Sequence, residues 1–220
     1  MHLYGALASP YVARVALFAR IKGIDLPVEP PPGGHIKSPE YLALNPLGKM
    51  PTLVVEGIAL PESEVICEFL EDAAGGSPGL PGTPLHRARA RLITRVYDLY
   101  VAQHGSILFR NSNPAKRDQA AVDAAIAAIN TGFGHLEHFI EAGPFAAGTE
   151  LSVADAALAP AFALLRRTAL PMFGIEDPTA GSGKLARWWQ AVNANALCAG
   201  FLEEYSVAVD GFIKMLAGRK

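Results

Sequence analysis

"NPLGKMPTLVVEGIALPES", residues 45–63, places Pro51 just ahead of a β-rich run and an acidic–hydroxyl pair, Glu62 and Ser63, just after it. Proline contributes no N–H to a sheet ladder, and the residue before it is pushed into extended geometry. Met50 therefore offers its N–H and C=O sideways at a sheet edge, to a guest with an extended backbone. "TLVV" and "IAL" lie on either side of Glu56-Gly57 and read as two strands about a turn. Glu62 and Ser63 then open a helix whose Ile66, Phe69 and Leu70 mark one buried stripe. A helix N-terminus carries roughly half a positive charge and unpaired N–H groups, so it attracts a carboxylate, while Glu62 suits an ammonium. Lys37 and Lys49 flank the same hairpin, with His35 near, and suit a second carboxylate. The expected guest has a zwitterionic head, an extended middle and an anionic tail.

Upstream, "HLYGA" and "LPVEP" read as short strands and "SPYVARVALFARIKG" and "SPEYLALN" as helices, so the first third runs β-α-β-α-β-β-α. Ser9 is placed to cap the first helix, Pro10 takes its first position, Val12, Val15, Ala16 and Ala19 recur at helical spacing, and Gly23 ends it. Residues 75–84, "GGSPGLPGTP", hold one apolar anchor, Leu80, among Gly, Pro, Ser and Thr, and sustain neither helix nor strand. We read residues 1–74 as a small mixed-sheet domain, 75–84 as a linker and 85–220 as an all-helical domain. Within the latter, "GTELSVADAAL" pairs Ser152 with Asp155 three residues on, a capping box with Asp in place of Glu.

Composition narrows the function. In 220 residues, 19 Lys and Arg stand against 21 Asp and Glu, which leaves no basic footprint for nucleic acid. Apolar runs are broken well short of the roughly 20 residues that span a bilayer, and the N-terminus lacks a signal-peptide layout, so no membrane partner and a cytoplasmic location are expected. Cys67 and Cys198 are far apart and read as buried apolar residues; His135 and His138 have no partner at ligand spacing, so no metal site is expected. Arg87, Arg91 and Arg95 form a stripe that fits a solvated face or a dimer groove alike.

Taken together, "SPYVARV", "NPLGKMPTL", "ES" and "SVADAALAP" resemble a glutathione S-transferase, in that order and over essentially the whole chain. The γ-Glu-Cys-Gly tripeptide matches the guest inferred above. The resemblance implies a thioredoxin-like N-terminal domain, an all-α C-terminal domain, a homodimer, a cis bond before Pro51, and glutathione as co-substrate. Carried over by position, Ser9 is the catalytic residue, donating its hydroxyl to the glutathione sulfur. Met50 pairs its main chain with the cysteinyl unit, Glu62 and Ser63 hold the γ-glutamyl end, and Lys37, Lys49 and His35 lie near the glycyl carboxylate. Ser9 is followed by Pro10 and Tyr11, not cysteine, which departs from the thiol-exchange members; the Ser-Ser-Cys run of the zeta-like isomerases is also missing.

The implied chemistry is attack of activated glutathione on a hydrophobic electrophile. The alternatives are a glutathione-dependent isomerase or lyase of aromatic catabolism, and a binding protein without turnover. Tyr11 and Tyr4 are rival phenols to Ser9. The electrophile site is expected between the loop before Ser9, the helix carrying Tyr97, Tyr100 and His104, and the C-terminal segment with Phe201 and Phe212.

Overall fold

A computed structural model describes residues 1–217, of which none lies in a helix long and apolar enough to cross a membrane. The chain divides into two compact units: residues up to Leu80 together with the segment from Ala196 onward, and Pro81–Asn195.

The first unit is built on a four-stranded sheet, order β2-β1-β3-β4, from β1 (His2–Tyr4), β2 (Val28–Glu29), β3 (Thr52–Val55) and β4 (Ile58–Pro61). β1 runs parallel to β2 and antiparallel to β3, and β3 pairs antiparallel with β4. Val55 faces Ile58 across a two-residue turn in which Glu56 and Gly57 both take positive φ, the backbone a tight hairpin needs. Helix α1 (Pro10–Lys22) follows β1, with Pro10 in its first turn and Gly23 left-handed at its end, as its residues predict. The helical spacing of Val12, Val15, Ala16 and Ala19 understates the burial, however: Val12 through Ala19 are all buried, because α1 packs on α3 (Ser63–Ala73) and on the last helix, α10 (Ala196–Ala217). A helix covered on several sides is apolar nearly all round. The short helix α2 (Pro39–Leu44) is capped by Ser38, whose hydroxyl accepts from the Tyr41 N–H.

The Gly/Pro-rich segment after α3 is docked as far as Leu80. Buried Lys22 and partly buried Glu71 form an ion pair at 2.9 Å, and Glu71 also accepts from the N–H groups of Gly79 and Leu80. This chain of bonds explains why the division falls after Leu80, inside the stretch expected to be linker. The last helix also differs from expectation: α10 clusters with the sheet unit, joined to α1 by a bidentate Arg20–Glu204 pair at 2.6 and 2.8 Å and by Arg20 lying over the Phe201 ring. Such a contact spans 184 residues and leaves no local pattern.

The second unit is helical: α4 (Pro84–Tyr97), a π-helical turn (Asp98–Ala102), α5 (Gln103–Arg110), α6 (Gln119–Phe139), α7 (Val153–Arg167), α8 (Ala169–Phe173) and α9 (Lys184–Ala194). Residues 85–109 read as one helix in sequence and are interrupted by the π turn. Gly132 of α6 lies against it so closely that a Cβ there would sit 2.2 Å from the Tyr100 carbonyl oxygen. Ser152 and Asp155 make the capping box, and Asp155, fully buried, also accepts from the Ala146 N–H at 2.8 Å and the Trp188 indole N–H at 2.9 Å.

Candidate functional site

Three segments of the first unit carry the candidates: the turn into α1, the loop from α2 to β3, and the start of α3. Ser9 occupies the N-cap of α1, but its side chain makes no capping bond. That departs from the expected cap and leaves a half-buried hydroxyl at the positive end of a 13-residue helix. Tyr11, partly exposed, sits in the first turn with the Arg14 guanidinium 5.5 Å from its ring centre. Tyr4 stacks on His2 within the strand, ring centres 6.1 Å apart.

The loop 45–51 is held from beneath by three residues that sequence reasoning passed over. Tyr41 donates to the Lys49 carbonyl at 2.6 Å and lies 2.8 Å from the Thr52 hydroxyl. Asn45 donates to the same carbonyl and to Thr52, each at 2.9 Å. All three side chains are fully buried. The available signal was a polar pair at i and i+4 on the helix that leads into the loop. Gly48 is left-handed, and a Cβ on it would meet the Lys37 ammonium, the movable end of a side chain that lies across the loop here, at 2.5 Å. His35 accepts from the Lys37 main-chain N–H at 3.1 Å; His35, Lys37 and Lys49 are all exposed. The Met50–Pro51 peptide is cis.

Glu62, not Ser63, is the N-cap of α3. It sits at φ 70° with its side chain exposed and uninvolved in capping, while Ser63 is buried in the first turn. A non-glycine residue in that region costs about 1–3 kcal/mol and persists where surrounding structure enforces it, often at functional sites.

The residues expected to wall the electrophile are spread over both units. A cleft of about 530 Å3 in the first unit is lined by Gly5 and Leu7 from the loop before Ser9, by Ala16 and Arg20 of α1, by residues 24–28, and by Glu204 of α10. Loop and C-terminal segment thus meet. Tyr97, Tyr100 and His104 belong to the second unit and do not line it. Tyr97 is buried against Phe162 in that unit's core, which removes it as a wall residue; Tyr100 is exposed with its ring edge-on to His135, and His104 lies 3.2 Å from the Gln103 amide. Phe201 is fully buried and Phe212 partly exposed.

The chain matches the glutathione S-transferase N-terminal domain over residues 3–78 and the glutathione S-transferase C-terminal domain over residues 119–191. The maleylacetoacetate isomerase of Rattus norvegicus is 33% identical over 173 residues, 75% of this chain and 78% of that protein. Glutathione S-transferase 3 of Zea mays is 31% identical over 206 residues, 88% of this chain and 89% of that protein. The crystal structure of a maleylacetoacetate isomerase from Methylobacterium extorquens AM1 with bound malonate and GSH superposes with a TM-score of 0.72 at 27% identity, covering 93% of this chain and 97% of that one. The chain therefore belongs to the glutathione S-transferase family: it is a transferase whose co-substrate is glutathione.

Proposed function

We propose that Ser9 activates the glutathione sulfur and that the resulting thiolate attacks a hydrophobic electrophile in the cytoplasm. The observation that carries this reading is the free hydroxyl of Ser9 at the N-terminus of α1. A thiol of pKa about 8.5 is only about 3% ionised at pH 7, and the thiolate is the nucleophile. Lowering that pKa by about two units takes about 2.7 kcal/mol. A hydrogen bond to a charged group supplies roughly 1.5–3 kcal/mol and the helix end roughly 0.3–1. Ser9 acts as a neutral donor throughout, so the thiol proton leaves to solvent and no general base is required.

Around the sulfur, Met50 offers its main chain to the cysteinyl unit. Glu62 takes the α-ammonium, and Ser63 with the N–H groups of the α3 start takes the α-carboxylate. Lys37, Lys49 and His35 face the glycyl carboxylate, with Lys37 braced over Gly48. The hydrophobic co-substrate lies against Leu7 and Tyr11, beside the loop that leads to Ser9. Detoxification of such compounds is the physiological class that fits. A homodimer fits Leu85, Leu92 and Leu99, seven residues apart along α4 and its continuation and each at least 41% exposed.

The test is Ser9→Ala, assayed by conjugation of chlorodinitrobenzene and by calorimetry with glutathione. We expect most turnover to disappear while affinity stays nearly unchanged. Full activity would move the role to Tyr11 or Tyr4. A second reading, glutathione-dependent isomerisation, draws on the likeness to maleylacetoacetate isomerases, one of them solved with GSH bound. Rapid glutathione-dependent cis–trans isomerisation of a maleyl dicarboxylate, without conjugation of chlorodinitrobenzene, would select it.

A further inference from the structure

Beneath the α2–β3 loop the hydrogen bonds admit a single assignment of protons. The Lys49 carbonyl can only accept, so the Tyr41 hydroxyl 2.6 Å away gives it its one proton. The tyrosine oxygen then accepts from the Thr52 hydroxyl at 2.8 Å. The two amide protons of Asn45 go to the Lys49 carbonyl and to the Thr52 oxygen. No polar atom of the three side chains needs water, and none of the three is exposed to it. Turning the carbonyl away would orphan two buried donors, so its inward direction is fixed.

That direction fixes another. Met50–Pro51 is the one cis peptide among the described residues, so Lys49–Met50 is trans, and in a trans peptide the C=O and the following N–H point opposite ways. With the Lys49 carbonyl held inward, the Met50 N–H faces out of the protein, and it donates to no group among the described residues. We propose that Tyr41 is a positioning residue for glutathione: its hydroxyl, set between Thr52 and the Lys49 carbonyl, aims the Met50 N–H at the cysteinyl carbonyl of the ligand. The inference rests on the reading of Met50 given above. Tyr41 touches neither sulfur nor electrophile. Its effect is confined to how well the tripeptide is held, and the ionisation of the thiol is left to Ser9.

Tyr41→Phe keeps the buried ring and deletes the bond. We expect the KM for glutathione to rise about three- to tenfold, the range for losing one hydrogen bond. The kcat at saturating glutathione and the pH at which the bound thiol ionises, read from thiolate absorbance, stay unchanged. Thr52→Val leaves the bond from Tyr41 to Lys49 in place and raises KM by less than about twofold. In 15N-labelled protein, glutathione shifts the Met50 amide proton downfield, and less so in Tyr41→Phe. A Tyr41→Phe protein that binds glutathione like the parent overturns the proposal. So does a Thr52→Val protein whose KM rises as much, since general loosening of α2 on β3 would then be the cause. Were Tyr41→Phe not to fold, the parent protein decides, because a Met50 amide that glutathione leaves unshifted also overturns it. Failure of the parent protein to bind glutathione at all would instead remove the reading on which the proposal stands.

Discussion

Replacing Asp155 by alanine tests how the second unit is held together. Its carboxylate accepts from the N–H of Ala146 at 2.8 Å, the N–H of Ser152 at 2.9 Å, the indole N–H of Trp188 at 2.9 Å and the Ser152 hydroxyl at 3.0 Å. Burial pushes this carboxyl above the ordinary aspartate range, against the opposing pull of those hydrogen bonds. In Asp155→Ala the hydroxyl can turn to another partner, but three rigid N–H groups are orphaned. At about 1–3 kcal/mol each the loss is about 3–9 kcal/mol, a large share of the 5–15 kcal/mol that keeps a typical protein folded. Ser152→Ala loses only the cap, about 0.5–2 kcal/mol. Asp155→Asn falls between, because its amide can donate to the Ser152 hydroxyl and orphans chiefly the Ser152 N–H. Both tryptophans, Trp188 and Trp189, lie in this unit, so urea unfolding followed by tryptophan fluorescence reports on it directly. The expected order of midpoints is parent, Ser152→Ala, Asp155→Asn, Asp155→Ala, the last unfolded or nearly so without denaturant. An Asp155→Ala midpoint no lower than that of Ser152→Ala would refute the convergence argument.

Two further outcomes follow from the first unit. Burial pushes the Glu71 carboxyl up, but hydrogen bonds from Lys22 and from the Gly79 and Leu80 N–H groups outweigh it and hold it below the usual glutamate value of 4.5. A depressed folded-state pKa stabilises above the unfolded value and loses that contribution as pH falls through the folded one. Proteolysis of residues 75–80 should therefore accelerate as pH falls below about 4.5, and Glu71→Gln should be cleaved quickly at every pH; a pH-independent parent would count against the ion pair. Glu62→Gly relieves the positive φ, so thermal stability should hold or rise by about 1 kcal/mol, while glutathione affinity in calorimetry falls at least several-fold. Undiminished affinity would remove Glu62 from the ammonium site.

What the sequence revealed was local. Pro10 and Gly23 bracket α1, Glu56-Gly57 turns the hairpin, and Ser152 with Asp155 opens α7, because each depends on a few adjacent residues. What it hid depends on distant partners. The π turn at residues 98–102 goes with the close approach of Gly132, and α10 leaves the helical unit through Arg20, which pairs with Glu204. Tyr41, Asn45 and Thr52 lie in segments read as a short helix and a strand, and beyond the i, i+4 spacing of Tyr41 and Asn45 nothing local marks them as one buried network. Tyr97 read as a wall residue because an aromatic on a helix near a cleft looks the same from sequence whether it faces the cleft or the core.

The capping bonds differ from one helix start to the next. Ser38, Thr83, Asp118 and Ser152 each accept from the first turn of the helix they open, and Glu137 reaches across from α6 to the N–H groups of Lys184 and Leu185 at the start of α9. Ser38 and Thr83 are each followed by proline, as is Ser9, and the three share extended backbone, with φ between −66° and −75°. Residue type and local sequence therefore do not explain why Ser9 alone of these three leaves its helix uncapped, forgoing about 0.5–2 kcal/mol. Glu62 forgoes a cap as well and carries the strain of positive φ. In sequence these two open helix ends flank the loop whose Met50 N–H donates to no group among the described residues; the five-residue α8 also starts without a side-chain cap, at Thr168. A protein under selection for stability alone would close those ends as it closes the starts of α2, α4, α6, α7 and α9. Leaving them open is the local inconsistency expected where a ligand supplies the missing partners.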